Sequence, residues 1–249
     1  MKILLSIAIL SIFFCCKSEQ NESNIILINV DSLNRGGIAR MVSILDSLNP
    51  KVLGVDLQFS DKTHYDEDSS LISSLYFCRN LVMISVIEDY DSGEKAQEYE
   101  RFDYGSLPEY LINAKTGFAN AILEDDTWTL KKFSTVEKVN GRNEYHFGVR
   151  VAMQYDSLRT MDFVRNNPKI VNINYQHGSK IFKRYSSTDI LEGKISFNDI
   201  EGKIILLGYL GPLDIDKFYT PLNNRVKVNE PDIYGLEYLA YVIYQVLND

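Results

Sequence analysis

The chain has 249 residues, a formal charge of −8 and a pI near 5.0. That length can bury a substantial core, and the acidic balance repels nucleic-acid phosphates and anionic lipid headgroups alike, so no nucleic-acid partner is expected. The chain is rich in Tyr and Phe, with 16 and 12 copies, and has only 6 Pro, which suits ordered sheet and helix rather than disorder.

In chain order, the first segment has one Lys and then a run from Ile3 to Phe14 that is apolar except for Ser6 and Ser11. This run is too short for a helix crossing a bilayer, which needs about 20 residues, but it fits the apolar region of a signal peptide. Cys15 and Cys16 at its end resemble a bacterial lipoprotein cleavage site. Residues 1–16 are therefore expected to be a signal peptide of lipoprotein type, with Cys16 the candidate lipidated residue and 17–24 a polar linker. Plain secretion and an uncleaved anchor are the alternatives. The third cysteine, Cys78, has no partner left for an internal disulfide and reads as a buried structural thiol.

Next comes a strand, NIILINV, ending at Asp31, and a helix whose Ile38, Met41, Val42, Leu45 and Leu48 fall at helical spacing before Asn49-Pro50. A second strand, KVLGVDLQFSD, runs out of apolar residues at Asp56, and the unit reads as βαβ with parallel strands and a right-handed crossover. A helix with an acidic first turn and the strand NLVMISVI follow. Residues 89–115 read as an irregular excursion, after which the sequence predicts two strands, a hairpin at Asn140-Gly141 and a helix from about Phe147 to Tyr155. The end reads as strand, strand with short helix, strand GKIILLG, and a long helix with Ile233, Leu236, Leu239, Ala240 and Ile243 on one stripe. The fold class is α/β: a mostly parallel, doubly wound sheet with helices on both faces and an irregular or antiparallel central excursion.

Asp31 and Asp56 are the first candidates for chemistry. As ends of adjacent parallel strands they share the carboxyl edge, where open α/β sheets bind ligands. At a strand spacing of about 4.8 Å they need compensation. Arg35 and the free N–H groups at the helix start are the expected source. In the structural alternative the two acids brace loops and cap helices. A haloacid-dehalogenase-like phosphatase places a second acid two residues after its first, but here that position is Leu33. There is no GxSxG, GxxxxGK[ST] or HExxH motif. His64, His146 and His177 lie far apart, DYDSGEKAQEYE only distantly echoes a calcium loop, and SDKTHYDEDSS reads as a solvated helix start. No metal site and no cofactor is expected.

Taken in order, the segments INVD, Arg35 with Ala39, VLGVDLQF, Asp68 with Leu71, GFANAILEDD, INY, GKIILLG with Asp216, Thr220 and Pro221, and GLEYLA resemble the CHASE domain, type two. The resemblance runs from about Ile25 to Val246, with Thr127 where the family usually has Gly and Leu239 where it usually has His. It implies an extracytoplasmic sensor of bacterial signal transduction, as found attached to cyclases and kinases. Such domains usually lead into transmembrane helices and an output domain, so a chain stopping at Asp249 is expected to be free-standing, tethered by its N-terminal lipid in the periplasm or at the outer membrane, and to signal through a membrane or envelope partner. Residues 25–249 are expected to form one non-catalytic domain binding an unidentified small-molecule or envelope ligand near Asp31, Arg35, Asp56 and Asp216. A metal-dependent or aspartate-based hydrolase and a structural module of an envelope complex are the rival readings.

Overall fold

The computed structural model describes residues 23–91, 98–124, 129–176, 181–213, 216–223 and 230–249. The signal-like segment with Cys16, residues 92–97 of the calcium-loop-like stretch, Thr127 and His177 lie outside the described residues.

The first βαβ unit forms as its periodicity predicts: β1 (Ile25–Asn29), α1 (Arg35–Ser47), β2 (Val52–Val55), α2 (Tyr65–Phe77) and β3 (Leu81–Ile87). Asn34 starts α1 by accepting a hydrogen bond from the Gly37 N–H at 2.9 Å. Asp66, Glu67 and Asp68 place negative charge at the positive end of α2. The central excursion breaks into short pieces: β4 (Glu98–Tyr99), β5 (Phe102–Asp103), α3 (Pro108–Leu111), β6 (Lys115–Phe118), β7 (Ile122–Glu124), β8 (Thr129–Ser134), β9 (Val136–Val139) and β10 (Arg142–Tyr145). Asn140 and Gly141 both adopt left-handed backbone, φ 48° and 74°, as the tight β9–β10 hairpin requires.

The remaining elements are α4 (Phe147–Tyr155), α5 (Ser157–Asn166), β11 (Ile170–Asn172), β12 (Lys183–Ser186), α6 (Ser187–Leu191), α7 (Phe197–Ile200), β13 (Ile204–Gly208), β14 (Lys217–Phe218), β15 (Ile233–Tyr234) and α8 (Gly235–Asn248). Helix α5 has no counterpart among the predicted elements. It buries only Thr160, Phe163 and Val164, so its apolar stripe is thin, and the Asp156 cap on the Arg159 N–H is its clearest sequence signal.

The main sheet runs β12-β1-β13-β2-β3, with β6 parallel to β3 and β5 pairing antiparallel at the far end of β3. Strand β13 therefore lies between β1 and β2. This corrects the expectation that Asp31 and Asp56 end adjacent strands: the chain returns about 150 residues later to fill the gap, and no local pattern signals that. The alternation of β1 builds two cores. Ile25 and Leu27 pack with α4, α5 and α8, while Ile26 and Ile28 pack with α1 and α2. Helix α8 is buried on nearly every side, not along the single predicted stripe, because β11 and the chain after it cover it as well: the Tyr175 ring meets Tyr241, and Gln245 Nε2 donates to the Asn172 carbonyl.

Strand β6 meets α4 at Gly117, where an added Cβ would lie 2.7 Å from the Phe147 Cα. Backbone cannot yield as a side-chain tip does. Gly117→Ala is expected to cost about 1–3 kcal/mol, read as a lower urea midpoint with an unchanged m-value.

Candidate functional site at the carboxyl edge

The alternation of β2 continues past its end and sends successive side chains to opposite faces of the sheet. Asp56 points toward α8 and Leu57 toward α1 and α2, each into its own hollow.

The hollow on the α8 side encloses about 60 Å³ and is lined by Asp56, Asp216, Phe218, Tyr238 and Leu239, with Ala119, Ala121 and Gly235 as its small residues. Asp56 is fixed at its backbone, where its N–H donates to the Leu207 carbonyl at 2.8 Å. Asp216 stands opposite in left-handed backbone, φ 58°, with its carbonyl accepting from the Gly235 N–H at 2.9 Å. Its carboxylate rests directly on the Gly235 Cα, so any side chain at position 235 would collide with it. Burial, and then the Asp216 charge, push the half-buried Asp56 carboxyl up to about 7. Burial raises Asp216 to about 6, with the Gly235 N–H opposing. Among the described residues, no Lys, Arg or His lines this hollow.

Tyr238 ties the hollow to the core. His146 is fully buried, its Nδ1 accepts from the Gly148 N–H at 3.1 Å, and burial lowers the imidazole to about 3. The ring is therefore neutral, and its Nε2–H donates to the Tyr238 hydroxyl at 3.1 Å. That bond uses one lone pair of the hydroxyl and fixes the ring that walls the hollow.

The hollow on the other face is a groove of about 450 Å³ bounded by Leu33, Arg35, Leu57, Phe59, His64 and Glu67. Arg35 does not compensate Asp31 or Asp56, as the sequence suggests it should. It donates to Asp68 at 2.6 Å, Asp61 at 2.8 Å and the Tyr110 hydroxyl at 3.1 Å, and it lies over the Phe59 ring. Helix α2 packs so closely on α1 that its first-turn acid claims the guanidinium. Asp31 is bound elsewhere too. Its carboxylate accepts from Asn29 Nδ2 and from Ser187 Oγ at 3.0 Å, bracing the end of β1 against the start of α6. Of the four residues singled out in the sequence, only Asp56 and Asp216 line a common hollow. The aromatic wall of Phe218 and Tyr238 was not visible as a motif, because it comes from separate elements. The segments GFANAILEDD and GLEYLA did mark the place, since they supply Ala119, Ala121, Gly235 and Leu239 to its lining. Among the described residues, no group of three or more His, Cys, Asp or Glu side chains could hold a metal ion.

Fold and site together define a doubly wound α/β protein with a small acidic recess at the carboxyl edge of its sheet. The chain matches the CHASE2 domain over residues 18–249 and belongs to that family. CHASE2 domains are extracytoplasmic sensor domains of signalling proteins and are typically non-catalytic. No curated protein and no solved structure matched in the other two comparisons. Leu239, at the position that the resemblance assigns to a His, lines the hollow, so no imidazole enters it from there.

Proposed function

We propose that this CHASE2 domain senses a small cationic ligand whose ammonium-like head enters the Asp56/Asp216 hollow. In this reading residues 25–249 act as one domain, lipid on Cys16 holds it at the membrane, and a partner protein reads its state. The observation that carries the reading is the facing carboxylate pair without a lining cation, closed by two aromatic rings. Carboxylates and ring faces both attract a desolvated ammonium group. The volume of about 60 Å³ admits a head group and no more, so the body of the ligand stays outside the hollow. Asp31 and Arg35 shape the same edge without touching the ligand. Binding shifts the equilibrium between two conformations only insofar as the ligand favours one of them.

A thermal-shift screen of alkylamines, diamines, divalent cations and neutral sugars at pH 8 tests the ligand class. An amine should raise the melting temperature of the wild type, by the equivalent of about 2.7 kcal/mol at one hundred times its Kd, and leave Asp56→Asn unmoved. A response to sugars alone, equal in both proteins, would contradict it. The tether is tested by fractionation: Cys16→Ser should release the protein from the membrane and Cys15→Ser should not. Retention of both variants would remove Cys16 from the account.

A further inference from the structure

We propose that the amino edge of the main sheet, opposite the Asp56/Asp216 hollow, is a docking surface for an anionic phospholipid bilayer. This rests on the reading of Cys16 as a lipid tether. The described chain enters at this edge: Ser23 and Asn24 line a recess with Tyr155 and Arg159 at the α4–α5 junction and with Leu247 and Asn248 at the end of α8. Six residues lie between Cys16 and Ser23, which makes seven backbone steps. Fully extended they span at most about 25 Å, so the tether holds this edge within reach of the headgroups.

Among the described residues, exposed large apolar side chains stand at this edge, as Tyr65, Tyr104, Leu213 and Leu222 do elsewhere. Phe77 ends α2 at 73% exposure, Ile112 follows α3 at 65%, Leu158 opens α5 at 79% and Phe197 opens α7 at 44%. Asn113 Nδ2 holds the first two together by donating to the Tyr76 and Cys78 carbonyls. Each belongs to an element that turns at the amino ends of the strands, so they ring that edge. Aromatic and aliphatic side chains of this kind, mixed with Lys and Arg, mark protein surfaces at the membrane interface.

Charge is divided in the same sense. Lys51, Lys203 and Arg79 precede β2, β13 and β3, Lys115 begins β6, and Arg159 lies beside Ser23. The acids at this edge, Asp46, Asp156, Glu192, Asp199, Glu201 and Asp249, are matched by these cations together with Lys183 and Lys194, so the amino edge is near charge balance while the opposite edge is acidic. Among the described residues the opposite edge carries Asp31, Asp56, Asp61, Asp66, Glu67, Glu109 and Asp216 against Arg35, Lys62 and Lys217. The net −8, which suggests repulsion from anionic lipid, thus averages over a polar molecule. An anionic surface repels the acidic edge and so turns the near-balanced amino edge, with its Lys and Arg side chains, toward itself. The hollow then faces away from the bilayer, and the single helix α8 runs from it to the docked edge over about 20 Å.

The test uses the full-length lipidated protein in vesicles of phosphatidylethanolamine and phosphatidylglycerol, or of phosphatidylcholine alone, with a polarity-sensitive fluorophore on Phe77→Cys, Leu158→Cys or, at the acidic edge, Tyr65→Cys. Cleavage before Cys16 removes Cys15 with the signal peptide, and burial pushes the Cys78 thiol up to about 12, which keeps it unreactive. In anionic vesicles the labels at 77 and 158 should shift to the blue and be quenched by lipid-borne quenchers, while the label at 65 stays solvent-like. The shift should weaken in phosphatidylcholine and disappear in Lys51→Glu/Lys115→Glu. Flotation reads the tether separately: protein that floats with all labels equally exposed overturns the docking surface and keeps the tether, whereas protein that does not float overturns both.

Discussion

Asp56→Asn is expected to outlast the wild type above pH 7 and to match it near pH 4. The Asp56 carboxyl sits at about 7 in the folded protein, raised first by burial and then by Asp216. In the unfolded chain it lies near its ordinary 3.8. The folded state therefore holds the proton more tightly. The stabilisation is fully present below about pH 4 and is lost as pH rises through 7. Each unit of difference is worth about 1.4 kcal/mol, and coupling to Asp216 divides the effect between the two acids, so the wild type should lose roughly 2–4 kcal/mol that Asn retains. Urea titrations of both proteins at pH 4.5 and pH 8.5 measure it. Parallel pH profiles would mean that neither burial nor Asp216 raises the Asp56 carboxyl in the folded protein.

Arg35→Ala is the second large effect. The guanidinium is 10% exposed and joins Asp68, Asp61, Tyr110 and the Phe59 ring at the α1–α2 interface. The Arg35 hydrogen bond holds the Asp68 carboxyl well below the usual carboxylate range, with the Thr63 N–H and hydroxyl adding to it. Removing the cation leaves a buried acid with only neutral donors. A fall in melting temperature of roughly 5–10 °C is expected. Arg35→Met/Asp68→Leu should recover part of it, because no orphaned charge remains. A double variant as unstable as the sum of the single variants would show that the two residues act independently. Neither outcome bears on ligand binding, since Arg35 lies on the other face of the sheet from the Asp56 hollow.

These two residues show what the sequence makes legible. Elements with strong local periodicity, such as β1, α1 and α4, appear where their patterns put them, because one buried face is enough to specify each. The insertion of β13 between β1 and β2 is a matter of topology. It separates Asp31 from Asp56 although both strand ends were read correctly. Asp216 was placed at the site through its family resemblance, and the structure brings it to Asp56 through the left-handed turn before β14. Arg35 was expected to serve Asp31, four residues away. A helix neighbour took it instead, because Asp68 arrives from α2 at 2.6 Å. Sequence proximity favours local partners, whereas packing delivers distant ones already desolvated.

In the proposed reading the Asp56/Asp216 pair gives up a proton when a cationic ligand binds. Calorimetric titration of the best amine from the screen, in buffers of different ionisation enthalpy, measures it most directly. At pH 6.5 the wild type should release up to about one proton for each ligand bound. The release should vanish at pH 9, and both binding and release should be lost in Asp56→Asn. Amine binding that releases no proton at pH 6.5, or that survives Asp56→Asn with unchanged affinity, would contradict the account.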